Sequence, residues 1–279
     1  MVKIASDSST LLSVAEGASE GITISPLNVN VGDGTWREIE EMSGEECLRY
    51  IAEGHLPVSS QPSVGEVVEN YNRFPEDEII NITLADGISG TYNTACMAKD
   101  MAENPERITV WNSQSICGSQ RYMAQMAAKM AANGCTKDEI LAALEERRLH
   151  NASYLISDDF DFLRRGGRLS PLVAYIGKSI KMAPAVKLSD DGRRLDFFTV
   201  KRTFIKTVEA IVDDMKKHGV DSSYKFYVTH AGAQKRAEQA IAALQKVFGA
   251  NISVELLHLG PAFIAQGGPG CVSLHYVMA

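Results

Sequence analysis

Apolar and polar residues alternate in two patterns along the first half of the chain. Short apolar runs at Val2–Ala5, Ile79–Leu84 and Ile108–Trp111 predict β-strands. The segments between and after these runs carry apolar residues at helical spacing. A hydroxyl residue three positions before a glutamate predicts the start of three of these helices, at Ser43, Ser63 and Thr136. Strands that alternate with helices indicate an α/β domain with a mainly parallel sheet flanked by helices.

The pattern changes near residue 152. Further strands are expected at Ala152–Ser157, Val186–Leu188, Leu195–Val200, Lys225–His230 and Ser253–Leu259. The turn-forming segment Ser189-Asp-Asp-Gly-Arg193 predicts a hairpin between the second and third of these strands. Amphipathic helices are predicted over Ile205–Met215 and Ala237–Phe248. We therefore expect an α/β domain, residues 1–152, followed by a smaller α+β domain, residues 153–279.

The composition is typical of a soluble globular protein. Of the 279 residues, 45% are hydrophobic and 23% are charged, which is enough apolar material for a substantial buried core. The formal net charge is −7, so a general binder of nucleic-acid backbones is not expected. No apolar run is long enough to cross a membrane, and the chain begins directly in a predicted strand, which favours a cytoplasmic location.

The cysteines and histidines do not predict a metal site. The five cysteines lie far apart and show no Cys-x-x-Cys spacing, so neither a disulfide framework nor a zinc site is indicated. The six histidines are scattered without the spacing of metal ligands. We expect reduced, mostly buried thiols and no cofactor.

A tight turn after the second predicted strand is the first candidate for a ligand site. Gly87 and Gly90 would let the backbone approach a ligand closely. Ser89 and Thr91 place hydroxyl groups beside the unpaired amides of the first helical turn, where an anion is favoured. The turn lacks the lysine of a phosphate loop. Taken alone, the turn fits better a structural role in which Asp86 or Ser89 caps the helix.

Three further polar segments are candidates for the same site. Ser59 and Ser60 precede Pro62, which holds the chain extended and leaves their hydroxyl groups free to face a ligand. Arg168 follows two glycines near the domain junction, where its guanidinium could close over an anionic head group. Gln266 offers an amide in a glycine-rich segment. Each segment is also consistent with an ordinary polar turn.

Five short motifs together resemble one bacterial family. In chain order they are Asp7-Ser-Ser9, Ser60-Gln-Pro-Ser63, Ile88-Ser-Gly-Thr-Tyr-Asn93, Gly166-Gly-Arg-Leu-Ser170 and Gly268-Pro-Gly270. The ordered set covers the whole chain and resembles the DegV family. The resemblance implies a two-domain protein, without catalysis of its own, that holds a long-chain fatty acid between its domains. It also implies a possible partner, a separate fatty acid kinase subunit that phosphorylates the carboxyl group.

The resemblance also implies which residues bind the carboxylate of the lipid. These ligand-binding positions are Ser59, Ser60, Asp86, Gly87, Ser89, Gly90, Thr91, Arg168 and Gln266. The chain departs from the family pattern at two places, with Ala85 and Asp86 instead of a pair of serines and Gln266 instead of a histidine. Because a carboxylate at Asp86 would repel that of a ligand, we expect Asp86 to pair with Arg168, to cap its helix, or to meet a head group other than a free carboxylate.

Two other classes of protein remain open from the sequence. A small-molecule hydrolase or transferase would use Ser89 or Cys117 as its nucleophile, although a buried, unreactive thiol is the commoner role for such a cysteine. Among the histidines, His230 at the end of a predicted strand is the one to inspect as a catalytic partner. An adaptor that recognises another protein would need an exposed apolar patch, which the sequence does not locate.

Overall fold

A parallel sheet forms the centre of the first part of the chain. The computed structural model describes residues 1–157, 159–169 and 182–279. The four strands of this sheet are β1 (Val2–Asp7), β2 (Ile22–Ser25), β6 (Glu78–Thr83) and β7 (Ile108–Asn112). They pair in the order β2-β1-β6-β7, and every pairing is parallel. The predicted α/β class with a parallel sheet is confirmed.

A small antiparallel sheet, which the sequence pattern did not reveal, adjoins this parallel sheet. Its strands are β3 (Asn28–Val31), β4 (Gly34–Arg37) and β5 (Val58–Ser60), in the order β4-β3-β5. Ser59 and Ser60 lie on β5, so the interpretation of this segment as a polar loop was wrong. Strands of three or four residues are too short to show a clear period, and β5 buries none of its residues fully.

Helices flank the sheets, and three of those in the first part of the chain begin where the capping patterns predicted. In the first part they are α1 (Val14–Ser19), α2 (Gly44–Ala52), α3 (Val64–Asn72), α4 (Thr91–Met101), α5 (Cys117–Ala132) and α6 (Lys137–Leu149). Reciprocal capping boxes form at Ser43 and Thr136. At Ser63 the hydroxyl accepts the amide of Glu66, but the Glu66 carboxylate pairs with Arg37.

The second part of the chain forms a six-stranded mixed sheet. Its strands are β8 (Asn151–Ile156), β9 (Ala183–Leu188), β10 (Leu195–Lys201), β11 (Lys225–His230), β12 (Ser253–His258) and β13 (Val272–Val277). Their order is β10-β9-β8-β13-β11-β12, and only β11 and β12 pair in parallel among these neighbours. The predicted hairpin is confirmed as β9 and β10. The division of the chain at residue 152 stays a prediction.

The two faces of the six-stranded sheet pack against different helices. The helices α8 (Phe204–Lys217) and α9 (Gln234–Phe248) cover one face, where residues such as Tyr154, Val228 and Leu274 are buried. The long helix α5 lies against the other face and also against β1 and β6 of the parallel sheet. Gly118 allows this close approach, because a Cβ atom there would lie 2.2 Å from Cγ of Tyr227.

Two short helices complete the part of the chain that concerns the site. They are α7 (Phe160–Gly166), which precedes Arg168, and α10 (Pro261–Gly267), which carries Gln266. Ser170 of the Gly166–Ser170 motif and Asp158 lie outside the described residues. Among the helices that the structure describes, none is long and apolar enough to cross a membrane.

Candidate functional site

A narrow cavity separates the six-stranded sheet from the loops at the carboxyl ends of the parallel strands. It contains about 990 Å³ of space including its opening to solvent. Its walls are mainly apolar, with side chains that include Leu84, Ile116, Leu155, Leu163, Leu195 and Phe263. A slot of this kind, apolar with a few polar groups, is typical of a small-molecule site.

The polar part of the lining gathers most of the residues that the sequence singled out. Ser59, Ser60, Ser89, Gly90, Arg168 and Gln266 all line the cavity. They come from two separate stretches of the first part of the chain and from two of the second. We call this group of six residues the polar mouth. Asp86, Gly87 and Thr91 are not among the described residues of the lining.

Gln266 connects α10 to the short strand β5 across the polar mouth. Its Nε2 donates a hydrogen bond to Ser59 Oγ at 3.1 Å. Its Oε1 is buried and has no hydrogen-bond partner among the described residues. Gly166 packs against this oxygen so closely that a Cβ atom would lie 1.9 Å from it. The amide is therefore held in place with one acceptor left unsatisfied.

Glu38 fixes the start of α10. Its buried carboxylate accepts the backbone N–H of Ala262 at 2.8 Å and the hydroxyl of Ser8 at 2.5 Å. Burial raises the pKa of Glu38 to about 7, although these two hydrogen bonds favour the charged form. The sequence did not predict this role, since a carboxylate directly after a short strand resembles a surface residue of a turn.

The turn that follows β6 is held by local hydrogen bonds. The hydroxyl groups of Ser89 and Thr91 lie 2.9 Å apart, and Ser89 Oγ accepts the backbone N–H of Thr91 at 3.2 Å. The N-cap residue of α4 is Gly90, which has no side chain. The first amide of the helix is accepted by the hydroxyl of Ser89 and not by Asp86, so the capping role falls to Ser89 of the two residues considered.

Asp86 turns to the hairpin between β9 and β10 and away from Arg168. Its Oδ2 lies 3.6 Å from Nη2 of Arg193. Gly87 packs against the same residue, since a Cβ atom at Gly87 would lie 2.2 Å from the Cα of Arg193. Of the three alternatives expected for Asp86, the pairing with Arg168 was wrong, because the hairpin brings a different arginine to this carboxylate. Sequence separation gave no indication of the contact.

Arg168 lies half-buried at the edge of the cavity. Its Nε donates to the backbone carbonyl of Ile88 at 3.0 Å, and its Nη1 donates to the carbonyl of Gly166. Among the described residues, no carboxylate forms an ion pair with it. Burial lowers the pKa of Arg168, but an arginine stays charged at any physiological pH. The polar mouth thus contains a positively charged donor whose hydrogen bonds to described residues go to backbone carbonyl groups.

The sequence singled out Cys117, Ser89 and His230 as candidates for a catalytic role. Cys117 is buried, and burial raises the pKa of its thiol well above the usual range, so the thiol stays protonated. Ser89 has Thr91 as its hydrogen-bond partner. His230 is bound by Gln234 at 3.0 Å and by the amide of Ala233 at 3.1 Å. These contacts give His230 a structural role at the end of β11.

The deep wall of the cavity contains polar residues that the sequence pattern did not reveal. Ser153, Ser273 and His275 line it from β8 and β13. Alternation along a strand is the one signal that could have found them, because Ser153 and His275 fall on the opposite face from the apolar residues that pack on α8 and α9. In the described part of the chain, no group of three or more His, Cys, Asp or Glu side chains could hold a metal ion.

Comparisons with known proteins agree with this architecture. Residues 1–279 match the model of the DegV family. Protein DegV of Bacillus subtilis is 30% identical over 250 residues, which cover 87% of each chain. A crystal structure from the same bacterium, described as DegV, a fatty acid binding protein, has 27% identity and a TM-score of 0.85, and covers 100% of this chain and 99% of its own. A DegV family protein of Thermus thermophilus, described by its fatty acid binding, has 25% identity and a TM-score of 0.87 with the same coverage.

Proposed function

Because this chain belongs to the DegV family, we propose that it binds a long-chain fatty acid in the cavity described above. The alkyl chain lies along the apolar walls, and the carboxylate lies at the polar mouth. The single observation that carries the proposal is that the mouth residues expected from the sequence line one apolar cavity together. Residues 1–152 supply the serines and the turn, and residues 153–279 close over the ligand with Arg168 and Gln266.

The chemistry of the mouth supports a carboxylate ligand. Arg168 can offer a charged donor, and the hydroxyl groups of Ser59, Ser60 and Ser89 can offer neutral ones. The amide of Gln266 would be a further donor if its bond to Ser59 were exchanged for one to the ligand. Such charge-assisted hydrogen bonds are each worth about 1.5–3 kcal/mol.

The apolar walls supply the larger part of the binding free energy. Burying roughly 14 methylene groups at about 0.8 kcal/mol each would give about 11 kcal/mol before the costs of association are subtracted. The departures from the family at Ala85 and Gln266 change single hydrogen bonds, which are worth about 1 kcal/mol each. The charge that Asp86 adds is offset by its ion pair with Arg193. Lipid binding is therefore expected to survive these changes.

We further propose that the protein has no catalysis of its own and presents its lipid to a separate kinase subunit in the cytoplasm, where ATP is available. The protonated, buried thiol of Cys117 supports a non-enzymatic role, because an active nucleophile would need a thiolate. Acyl phosphate should form from the loaded protein only when both ATP and the kinase subunit are present. Formation with ATP alone would contradict the carrier role.

Native mass spectrometry of the freshly purified protein tests the proposed function. The expected result is a bound mass in the range of a long-chain fatty acid, which is released on denaturation and identified. Delipidated protein should then take up added palmitate. If no lipid is retained and palmitate does not bind to the delipidated protein, the proposed function is wrong.

A further inference from the structure

The deep wall of the cavity is one face of the six-stranded sheet, and it is polar at one place. Ser153 on β8 and His275 on β13 are direct cross-strand partners. Nδ1 of His275 lies 2.8 Å from Oγ of Ser153. Both residues line the cavity, with Ser273 beside them. A hydrogen-bonded serine and histidine therefore lie in a wall that is otherwise expected to contact an alkyl chain.

His275 leaves one nitrogen without a partner at this wall. The side chain is 1% exposed, and its Nε2 is buried without a hydrogen bond to any residue that the structure describes. Burial lowers the pKa of His275 to about 3, so the ring is neutral and offers one donor and one acceptor. Leaving such a buried group unsatisfied is costly, and native proteins rarely do so without a reason.

The position of His275 along the strands sets its distance from the polar mouth. Ser157, just beyond β8, donates to the carbonyl of Gly267, which is the neighbour of Gln266. Ser153 lies four residues earlier on the same strand, which corresponds to about 13 Å at about 3.3 Å per residue. An extended peptide has three backbone bonds per residue, so an extended alkyl chain would cover this distance with roughly ten to twelve bonds.

We propose that the preferred cargo is a fatty acid with a hydroxyl group near the middle of its chain, and that this hydroxyl group bonds to Nε2 of His275. The inference rests on the proposed function and names its substrate class. A hydroxyl group can both donate and accept, so it satisfies either tautomer of the ring. An unsubstituted chain would leave Nε2 unpaired, and a buried polar group without its partner discriminates strongly between ligands.

The unmodified protein provides the decisive test. Affinities of delipidated protein are measured for stearate, 10-hydroxystearate, 12-hydroxystearate and 2-hydroxystearate, the last as a control for hydroxylation at the wrong place. We expect at least one of the two mid-chain hydroxy acids to bind tenfold or more tightly than stearate, and 2-hydroxystearate to show no such gain. Equal or weaker binding of both mid-chain hydroxy acids would overturn the inference while leaving the proposed function intact. Failure of all four to bind would instead contradict the proposed function.

Variants of His275 test whether the preference for a mid-chain hydroxy acid over stearate depends on this residue. In His275→Phe the preference for the hydroxy acid should disappear or reverse, and in His275→Gln, which keeps a hydrogen-bonding amide, part of it should return. His258→Phe is the matched control, since His258 is exposed and should leave the preference unchanged. If His275→Phe does not fold, the inference is still tested by the ratio of the affinities for the hydroxy acid and for stearate, measured in the unmodified protein and in His275→Gln. An unchanged ratio in a folded His275→Phe protein would overturn the role of His275.

Discussion

Asp86 and Arg193 form an ion pair at 3.6 Å between the turn after β6 and the hairpin of the six-stranded sheet. The side chain of Asp86 is 19% exposed and that of Arg193 is 63% exposed. A pair with this exposure adds less than about 1 kcal/mol to the stability of the fold. Its importance lies in the charge, because Arg193 offsets a carboxylate next to a mouth that is proposed to bind another carboxylate.

Removing Arg193 should therefore weaken fatty-acid binding without touching the cavity. We expect Arg193→Ala to lower the affinity for palmitate about two- to fivefold, because Asp86 then repels the ligand. Adding Asp86→Ser should restore the affinity, whereas Asp86→Ser alone should change it little. Calorimetric titration at low salt measures these affinities. The control is Arg194→Ala, because Arg194 is the exposed neighbour of Arg193. Equal affinities of Arg193→Ala and the unmodified protein for palmitate would show that the charge of Asp86 has no effect on ligand binding.

Arg168 should distinguish a carboxylate from a neutral head group. We expect Arg168→Met to lower the affinity for palmitate about ten- to a hundredfold, since a buried charge-assisted hydrogen bond is worth about 1.5–3 kcal/mol. Binding of the matching fatty alcohol should change by less than about threefold. The control is Arg165→Met, because the Arg165 guanidinium lies over the Phe162 ring on the exposed side of α7. If both ligands lose the same affinity, Arg168 supports the fold and not the head group.

Gly87 should be required for the contact between the turn and the hairpin. A methyl group there would overlap the backbone of Arg193, so Gly87→Ala should lower the free energy of unfolding by about 1–3 kcal/mol. Gly65 lies within α3, where a Cβ atom would have only Ser63 Oγ at 3.7 Å. Gly65→Ala should therefore raise the free energy of unfolding by about 0.5–1 kcal/mol. Urea denaturation measures both, and equal stabilities of the two variants would contradict the tight hairpin contact.

The buried carboxylate of Glu38 predicts a specific dependence of stability on pH. Because burial raises its pKa from 4.5 to about 7, the folded protein keeps a proton that the unfolded chain has lost between these values. This contribution to stability is fully present below pH 4.5 and is lost as the pH rises through about 7. At about 1.4 kcal/mol per pKa unit the loss amounts to about 3 kcal/mol.

The variant Glu38→Gln isolates this contribution. The free energy of unfolding of the unmodified protein, relative to that of Glu38→Gln, should fall by about 3 kcal/mol between pH 4.5 and pH 8. Exposed Glu53→Gln serves as the control for removing a surface charge. A difference between the unmodified protein and Glu38→Gln that does not change with pH would mean that Glu38 is ionised without cost in the folded protein.

The sequence predicted those parts of the fold that depend on local patterns. Three of the four parallel strands, the capping boxes at Ser43 and Thr136 and the β9–β10 hairpin each have a signal within a few residues, whereas the four-residue strand β2 was missed. The strands β3, β4 and β5 were missed because each has only three or four residues. Strand β13 was missed because the alternation from Val272 to Tyr276 is short and follows a glycine-rich segment.

The candidate site was predictable in its residues and less so in its contacts. The motifs led to Ser59, Ser89, Arg168 and Gln266, which meet at one cavity. The pairing of Asp86 with Arg193 could not be predicted, because it depends on how a hairpin more than a hundred residues later packs on the turn. The polar wall at His275 was overlooked for a similar reason, since it arises from two strands that are distant in sequence.

The position of the alkyl chain is the central claim, and a crystal structure with stearic acid brominated at carbon 11 tests it most directly. Anomalous scattering locates the bromine without reference to the rest of the ligand. We predict a single strong peak inside the cavity, between Ile116 on one side and the wall formed by Leu155 and Ser153 on the other, with the carboxylate beside Arg168. A bromine peak on the outer surface, or a cavity that stays empty at saturating ligand, would contradict the account.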